Sequence, residues 1–152
     1  MRTRTVFVIL AAGVFFTGCV TGYGTTGVSP AEPSLQLVRE TVLGAGGEPT
    51  EVREFSYTST GELAEERLLD AAGRIREIIS YSYRDGRRIE RRSYAASGEL
   101  TGKRTYTYTA KGLPETECYF DGAGNPVLVS RFSYNYWGDT IEWITTDTEG
   151  RL

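Results

Sequence analysis

The sequence predicts an all-β protein. The expected architecture is an antiparallel meander of about nine strands, built from two-strand repeats of about 26 residues, either an open curved sheet or one rolled towards a barrel. Three observations predict it. Glycines at positions 47, 61, 73, 86, 98, 112, 124, 138 and 150 recur at near-even intervals, each wide enough for one strand and its turn. The stretches between them alternate in polarity with period 2, the pattern of half-buried antiparallel strands. An aromatic pair recurs on alternate stretches: Phe55 with Tyr57, Tyr81 with Tyr83, Tyr106 with Tyr108, and Phe132 with Tyr134. The glycines form two interleaved series with the same period, so one two-strand unit has been copied several times.

Composition sets the limits. The chain has 152 residues, which favours one folding domain. Eighteen glycines and ten tyrosines suit a turn-rich β protein. Histidine is absent, which removes Ser-His and Cys-His nucleophile pairs and every His-ligated metal site. With two cysteines, Cys19 and Cys118, one bridge is the maximum and a disulfide framework is excluded. No phosphate loop, Ca²⁺ loop or metal-ligand cluster occurs, so no cofactor is expected.

Residues 1–18 read as an address before they read as structure. Arg2 and Arg4 make a positive start, and Val6 to Phe16 is an uncharged apolar run, short for a bilayer span. Phe16-Thr17-Gly18-Cys19 follows. This resembles the lipobox of bacterial lipoproteins, although Phe16 stands where leucine is more usual. The resemblance implies removal of residues 1–18, acylation of Cys19 and export to the bacterial cell envelope. Two or more acyl chains give stable anchoring, at about 0.8 kcal/mol per buried CH₂. Val20 after the cysteine implies an outer-membrane destination. Cleavage leaves fifteen basic against twenty acidic side chains, a charge of −5. Such a domain is not expected to bind nucleic acid. Cys118 becomes the lone thiol and reads as a small hydrophobe on a strand.

Residues 19–33 are rich in Gly, Thr and Pro without periodicity, a flexible tether. Residues 34–152 form the repeat domain. Asp85-Gly86 supplies the two positive φ values of a two-residue hairpin. Asp70, Asp121 and Asp147, each three residues before a glycine, open slightly longer turns. In the second copy Ile75, Glu77, Ile79, Tyr81 and Tyr83 share one face. In the fourth, Leu128, Phe132, Tyr134 and Tyr136 do. Leu63 to Leu69 has a helix-like look, but its turn spacing matches the strands. The eight paired aromatics should therefore line up across one face. Tyrosine pairs stabilise a half-buried sheet surface. The same ladder is the candidate binding face for a protein or glycan partner.

The Asp-x-x-Gly turns of residues 69–75, 119–125 and 146–152 resemble the YD repeats of bacterial Rhs and wall-associated proteins. The Gly-punctuated strands are similar also to MORN-like repeats. The resemblance implies a β-strand repeat surface protein. This chain is too short for the closed shells that long YD arrays build.

Two further groups stand out. Arg84, Arg87, Arg88, Arg91 and Arg92 are the one basic cluster; strict alternation puts Arg87 and Arg91 on one face, Arg88 and Arg92 on the other. Glu62, Glu65, Glu66, Glu115, Glu117 and Glu142 are scattered carboxylates with no pair singled out for glycosidase chemistry. The last full strand, around Ile141 to Ile144, reads as an exposed edge open to self-association. The expectation is a lipid-anchored envelope protein with a non-catalytic domain for protein binding or scaffolding. A carbohydrate-binding module and, less favoured, a carboxylate-dependent hydrolase are the alternatives.

Overall fold

The structure, a computed structural model, describes residues 6–12 and 35–152. It contains one antiparallel sheet of ten strands in chain order. These are β1 (Val6–Ala12), β2 (Leu35–Leu43), β3 (Pro49–Tyr57), β4 (Leu63–Asp70), β5 (Ile75–Arg84), β6 (Arg87–Ala95), β7 (Leu100–Tyr108), β8 (Pro114–Asp121), β9 (Pro126–Tyr134) and β10 (Thr140–Asp147). Nine of them, β2 to β10, make up the repeat domain. The apolar segment read as a targeting sequence supplies the tenth: β1 pairs with β2 along its whole length. An extended apolar segment beside a free edge satisfies both sets of backbone groups in this way. The lipobox at Cys19 and the tether lie outside the described residues. No helix among the described residues is long and apolar enough to cross a membrane.

The sheet is open. Every strand contacts only its neighbours in sequence, and β10 does not return to β1. The barrel alternative is therefore excluded. Closure needs the first and last strands to exchange backbone hydrogen bonds, and here both keep an outer edge.

The turns account for this regularity. Asp85 and Gly86 have φ of 53° and 71°, the two-residue type I′ geometry that matches strand twist. The other turns share a second design. At 70–74, Gly73 N–H donates to the Asp70 carbonyl at 2.9 Å, and Asp70 N–H donates to the Arg74 carbonyl at 2.9 Å. The Asp70 carboxylate accepts from Ala72 N–H (2.9 Å), Arg74 N–H (3.0 Å) and Arg74 Nε (2.9 Å). Asp147 repeats the pattern with Glu149 and Arg151. Asp121 does so with Asn125. The Gly-Arg or Gly-Asn that follows each Asp is thus the second half of a side-chain clasp.

The turn at 95–99 has the backbone bonds but begins with Ala95, which has no side-chain acceptor. Ala95→Asn should supply the clasp that Asn135 already makes to Asp139 N–H at 2.9 Å. The expected gain is about 0.5–1 kcal/mol, read as a higher urea midpoint with unchanged slope. An unchanged or lower midpoint would show that the clasp adds nothing beyond the backbone bonds.

Each of these turns leaves one bulged residue, and the bulges revise the faces expected from alternation. Glu77 pairs with Leu68, but Ile75 pairs with Leu69. Ile75 therefore joins Val52 and Leu69, away from Ile79. Tyr136 lies in the turn after β9 and leaves the ladder altogether. In β6, Arg91 faces Tyr81 and Arg88 faces Tyr83, with Ile89 in the bulge, whereas Arg92 faces Ser80. Arg88 and Arg91 thus lie on the tyrosine face together, contrary to strict alternation.

A single sheet layer has almost no interior. Among the described residues the buried hydrophobic side chains are Val52 on one face and Ile79 on the other, and Ser93 and Ser130 are the buried polar ones. Stability must come from strand pairing and cross-strand side-chain contacts, not from a core between layers.

Candidate functional site

The register places all eight predicted aromatics on one face. Phe55 lies opposite Glu66, Glu66 opposite Ile79, Ile79 opposite Ser93 and Ser93 opposite Gly102. Two-residue steps along each strand then carry Tyr57, Tyr81, Tyr83, Tyr106 and Tyr108 to the same side. Tyr106 pairs with Glu117 and Glu117 with Ser130, which brings in Phe132 and Tyr134. All eight are half-buried.

Residues that sequence reasoning missed fill in the ladder. Arg88 lies over the Tyr81 ring, 4.6 Å from its centroid, and Arg104 lies 4.5 Å over Tyr119. Trp143 stacks on Phe132 with centroids 5.7 Å apart. Tyr119 and Trp143 sit on strands without an aromatic pair, so the repeat signal did not mark them. The Arg88 contact required the β6 register, and Arg104 meets Tyr119 across the β7–β8 pairing.

Much of the ladder's polar capacity is spent internally. Tyr57 hydroxyl donates to the Leu37 carbonyl at 2.6 Å, and Tyr108 hydroxyl to the Arg88 carbonyl at 2.7 Å. These bonds reach from one aromatic strand back to the strand before it and recur two repeats apart. Tyr81 hydroxyl donates to Glu66 at 3.2 Å. The ladder is therefore first a spine that ties strands together. One part of it remains open. At Gly102 the missing side chain leaves a cleft of about 290 Å³ bounded by Glu77, Arg91, Ser93, Arg104 and Tyr119. Arg91 donates to Ser93 Oγ at 2.7 Å, and Arg104 to Glu117 at 3.4 Å.

The scattered carboxylates stay apart in role. Glu65 binds Arg67, Glu66 approaches Arg53, Glu117 binds Arg104, and Glu62 accepts from Thr58. Glu115 accepts from Thr107 and Glu142 from Ser133. Among the described residues no group of three acidic or thiol side chains is placed to hold a metal ion. Cys118 is a free, partly buried thiol between Thr105 and Val129.

Ionisation bounds the stable pH range. Backbone and side-chain hydrogen bonds from Arg74 hold the Asp70 carboxyl below its ordinary value. Arg151 does the same for Asp147, and Asn125 for Asp121. These groups bind protons more readily when unfolded, so their contribution is present above about pH 4 and lost as pH falls through the depressed values. Burial raises Tyr81, Tyr108 and Tyr119 above the ordinary phenol range. Unfolding then releases protons above about pH 10, so stability falls as pH rises further. Urea midpoints against pH should give a plateau between these limbs. Asp70→Asn with Asp147→Asn should flatten the acid limb, and an acid limb unchanged in that double variant would refute the assignment.

The chain matches no known protein family and no curated protein sequence. Similar solved structures include a mutant of S. aureus TarM in complex with Fondaparinux, alpha-GlcNAc-glycerol and UDP, at 13% identity and TM-score 0.31, covering 76% of this chain and 19% of that one. The GtfA/B complex bound to UDP and GlcNAc gives 12% identity and TM-score 0.28, covering 72% and 22%. The Photorhabdus luminescens Tc holotoxin pore gives 12% and 0.29, covering 80% and 9%. This chain spans about a fifth or less of each of those chains.

Proposed function

We propose that this chain is a non-catalytic binding and scaffolding protein of the bacterial cell envelope, held to a membrane by acylated Cys19. One observation carries the binding role. Of nine exposed large hydrophobic side chains among the described residues, eight lie from Val127 onward: Val127, Leu128, Tyr136, Trp137, Ile141, Trp143, Ile144 and Leu152. Scattered apolar exposure needs no explanation, but these side chains gather at one end of the sheet, Trp143 on the aromatic face and Ile144 on the other, and such a concentration marks a contact surface. The ladder, by contrast, is largely occupied with its own hydrogen bonds.

The test has two parts. Cys19→Ala should move the protein from the detergent phase to the aqueous phase and abolish an acyl mass. Photo-crosslinking from position 137 in native envelopes should capture a protein partner, whereas a probe at Arg76, near the β4–β5 turn, should not. A wild-type protein that is soluble and unacylated would overturn the anchor. Equal capture from both positions would overturn the contact surface.

A glycan reading has one observation in its favour, the cleft at Gly102. A tyrosine ring, two arginines and a carboxylate around a small-residue floor suit an acidic sugar. Binding lost in Tyr119→Ala and kept in Trp143→Ala would favour this reading over the first.

A further inference from the structure

Among the described residues no strand pairs with the outer edge of β10. Natural sheets blunt such edges with lysine, proline or very short strands. β10 reads Thr-Ile-Glu-Trp-Ile-Thr-Thr-Asp, eight residues with no lysine and no proline. Trp143 is 67% exposed and Ile141 66%. Only Glu142 interrupts the apolar middle of the strand.

We propose that β10 pairs antiparallel with β10 of a second copy about a twofold axis at Trp143. This inference rests on the binding reading above and names the partner of that same surface. Three observations select a copy of this chain and this register. First, a twofold axis perpendicular to the sheet keeps like faces together, so the aromatic faces of the two copies become continuous. The pairing is isologous and closes at two copies. Second, charge selects the register. Sliding by one pair to centre on Glu142 would set two carboxylates opposite each other, which is unfavourable. Sliding the other way, to Ile144, keeps the same overlap but sets Glu142 against Thr146, whose neighbour on β9 is Val129, and takes it away from Arg131. Centring on Trp143 sets Trp143 against Trp143, Thr140 against Thr146, and Glu142 against Ile144. Third, Arg131 makes no ion pair among the described residues, and Glu142 accepts only a long bond, 3.4 Å, from Ser133. Arg131 pairs with Ile144 within its own chain. In the pairing, Glu142 of one copy faces Ile144 of the other, with Arg131 of that second copy one strand beyond. Two strand spacings are about 9.6 Å, within reach of a Glu and an Arg extended towards each other. The twofold makes this contact twice.

The experiment uses the acylated full chain in detergent with Cys118→Ser, so that no free thiol competes. Sedimentation across a hundredfold concentration range should show a monomer–dimer equilibrium. Ile144→Lys should shift it towards monomer by at least tenfold in dissociation constant, with the urea midpoint of the monomer little changed. Trp143→Cys should form a disulfide-linked dimer under mild oxidation. Thr140→Cys should not, because its copy lies about 20 Å away at about 3.4 Å per residue. A monomer at every concentration would overturn the proposal while leaving envelope crosslinking from position 137 to judge the binding reading. Open-ended oligomers would overturn the twofold, since a head-to-tail edge contact does not close. Crosslinking through position 140 but not 143 would overturn the register.

Discussion

Ile79→Ala is expected to destabilise the sheet by about 2–3 kcal/mol, towards the lower end of Ile-to-Ala costs in enclosed cores. Ile79 is 8% exposed at the middle of β5, the buried hydrophobic residue of the aromatic face. Glu66 and Ser93 are its cross-strand partners. With one sheet layer there is no second layer to collapse into the space left by the lost carbons. Water can enter instead, which keeps the cost below that of a sealed cavity. Ile75→Ala, on the same strand but 36% exposed, should cost under about 1 kcal/mol. Urea unfolding with tyrosine fluorescence and circular dichroism would compare the two. Equal costs at both positions would mean that burial is not what stabilises this sheet.

Gly122→Ala should cost about 2 kcal/mol, more than Gly124→Ala in the same turn. The two glycines serve different ends. Gly124 has φ of +86° and open space where a Cβ would sit. Alanine there costs about 1 kcal/mol of backbone strain and nothing else. At Gly122 a Cβ would meet the Leu100 carbonyl oxygen at 2.4 Å and the Thr101 Cα at 3.4 Å. Those are backbone atoms of β7, and they cannot swing aside as a side chain would. The substitution must move the start of β7 against the turn. Thermal unfolding of the two variants would rank them, and a Gly124→Ala melting point at or below that of Gly122→Ala would contradict the collision.

The strands were legible because a one-layer sheet is written locally. Each hairpin is set by a short turn, and each strand touches only the next, so no distant segment overrides the local signal. Asp85-Gly86 announced a two-residue turn and forms one. The aromatic ladder was legible for the same reason: Phe55, Tyr81, Tyr106 and Phe132 occupy equivalent places in successive repeats, and equivalent places fall on one face. What failed was simple alternation near the turns. Ile75 was misplaced because the longer turn before β5 adds a bulge, Arg88 because β6 carries a bulge at Ile89 even beside a two-residue turn, and Tyr136 because it lies in a turn.

The sequence by itself determined the fold class, the number of repeat strands and the shared face of the eight paired aromatics. It could do so because turn chemistry and period-2 patterning act over a few residues, and here the contacts extend little further. Only the tertiary structure decided that the sheet stays open, that Arg88 and Arg91 join the tyrosines, that a cleft opens over Gly102, and that the exposed apolar side chains collect on β9 and β10. Those outcomes depend on register across several strands and on what each side chain meets there. A one-residue bulge changes them while leaving the local pattern of the sequence almost untouched.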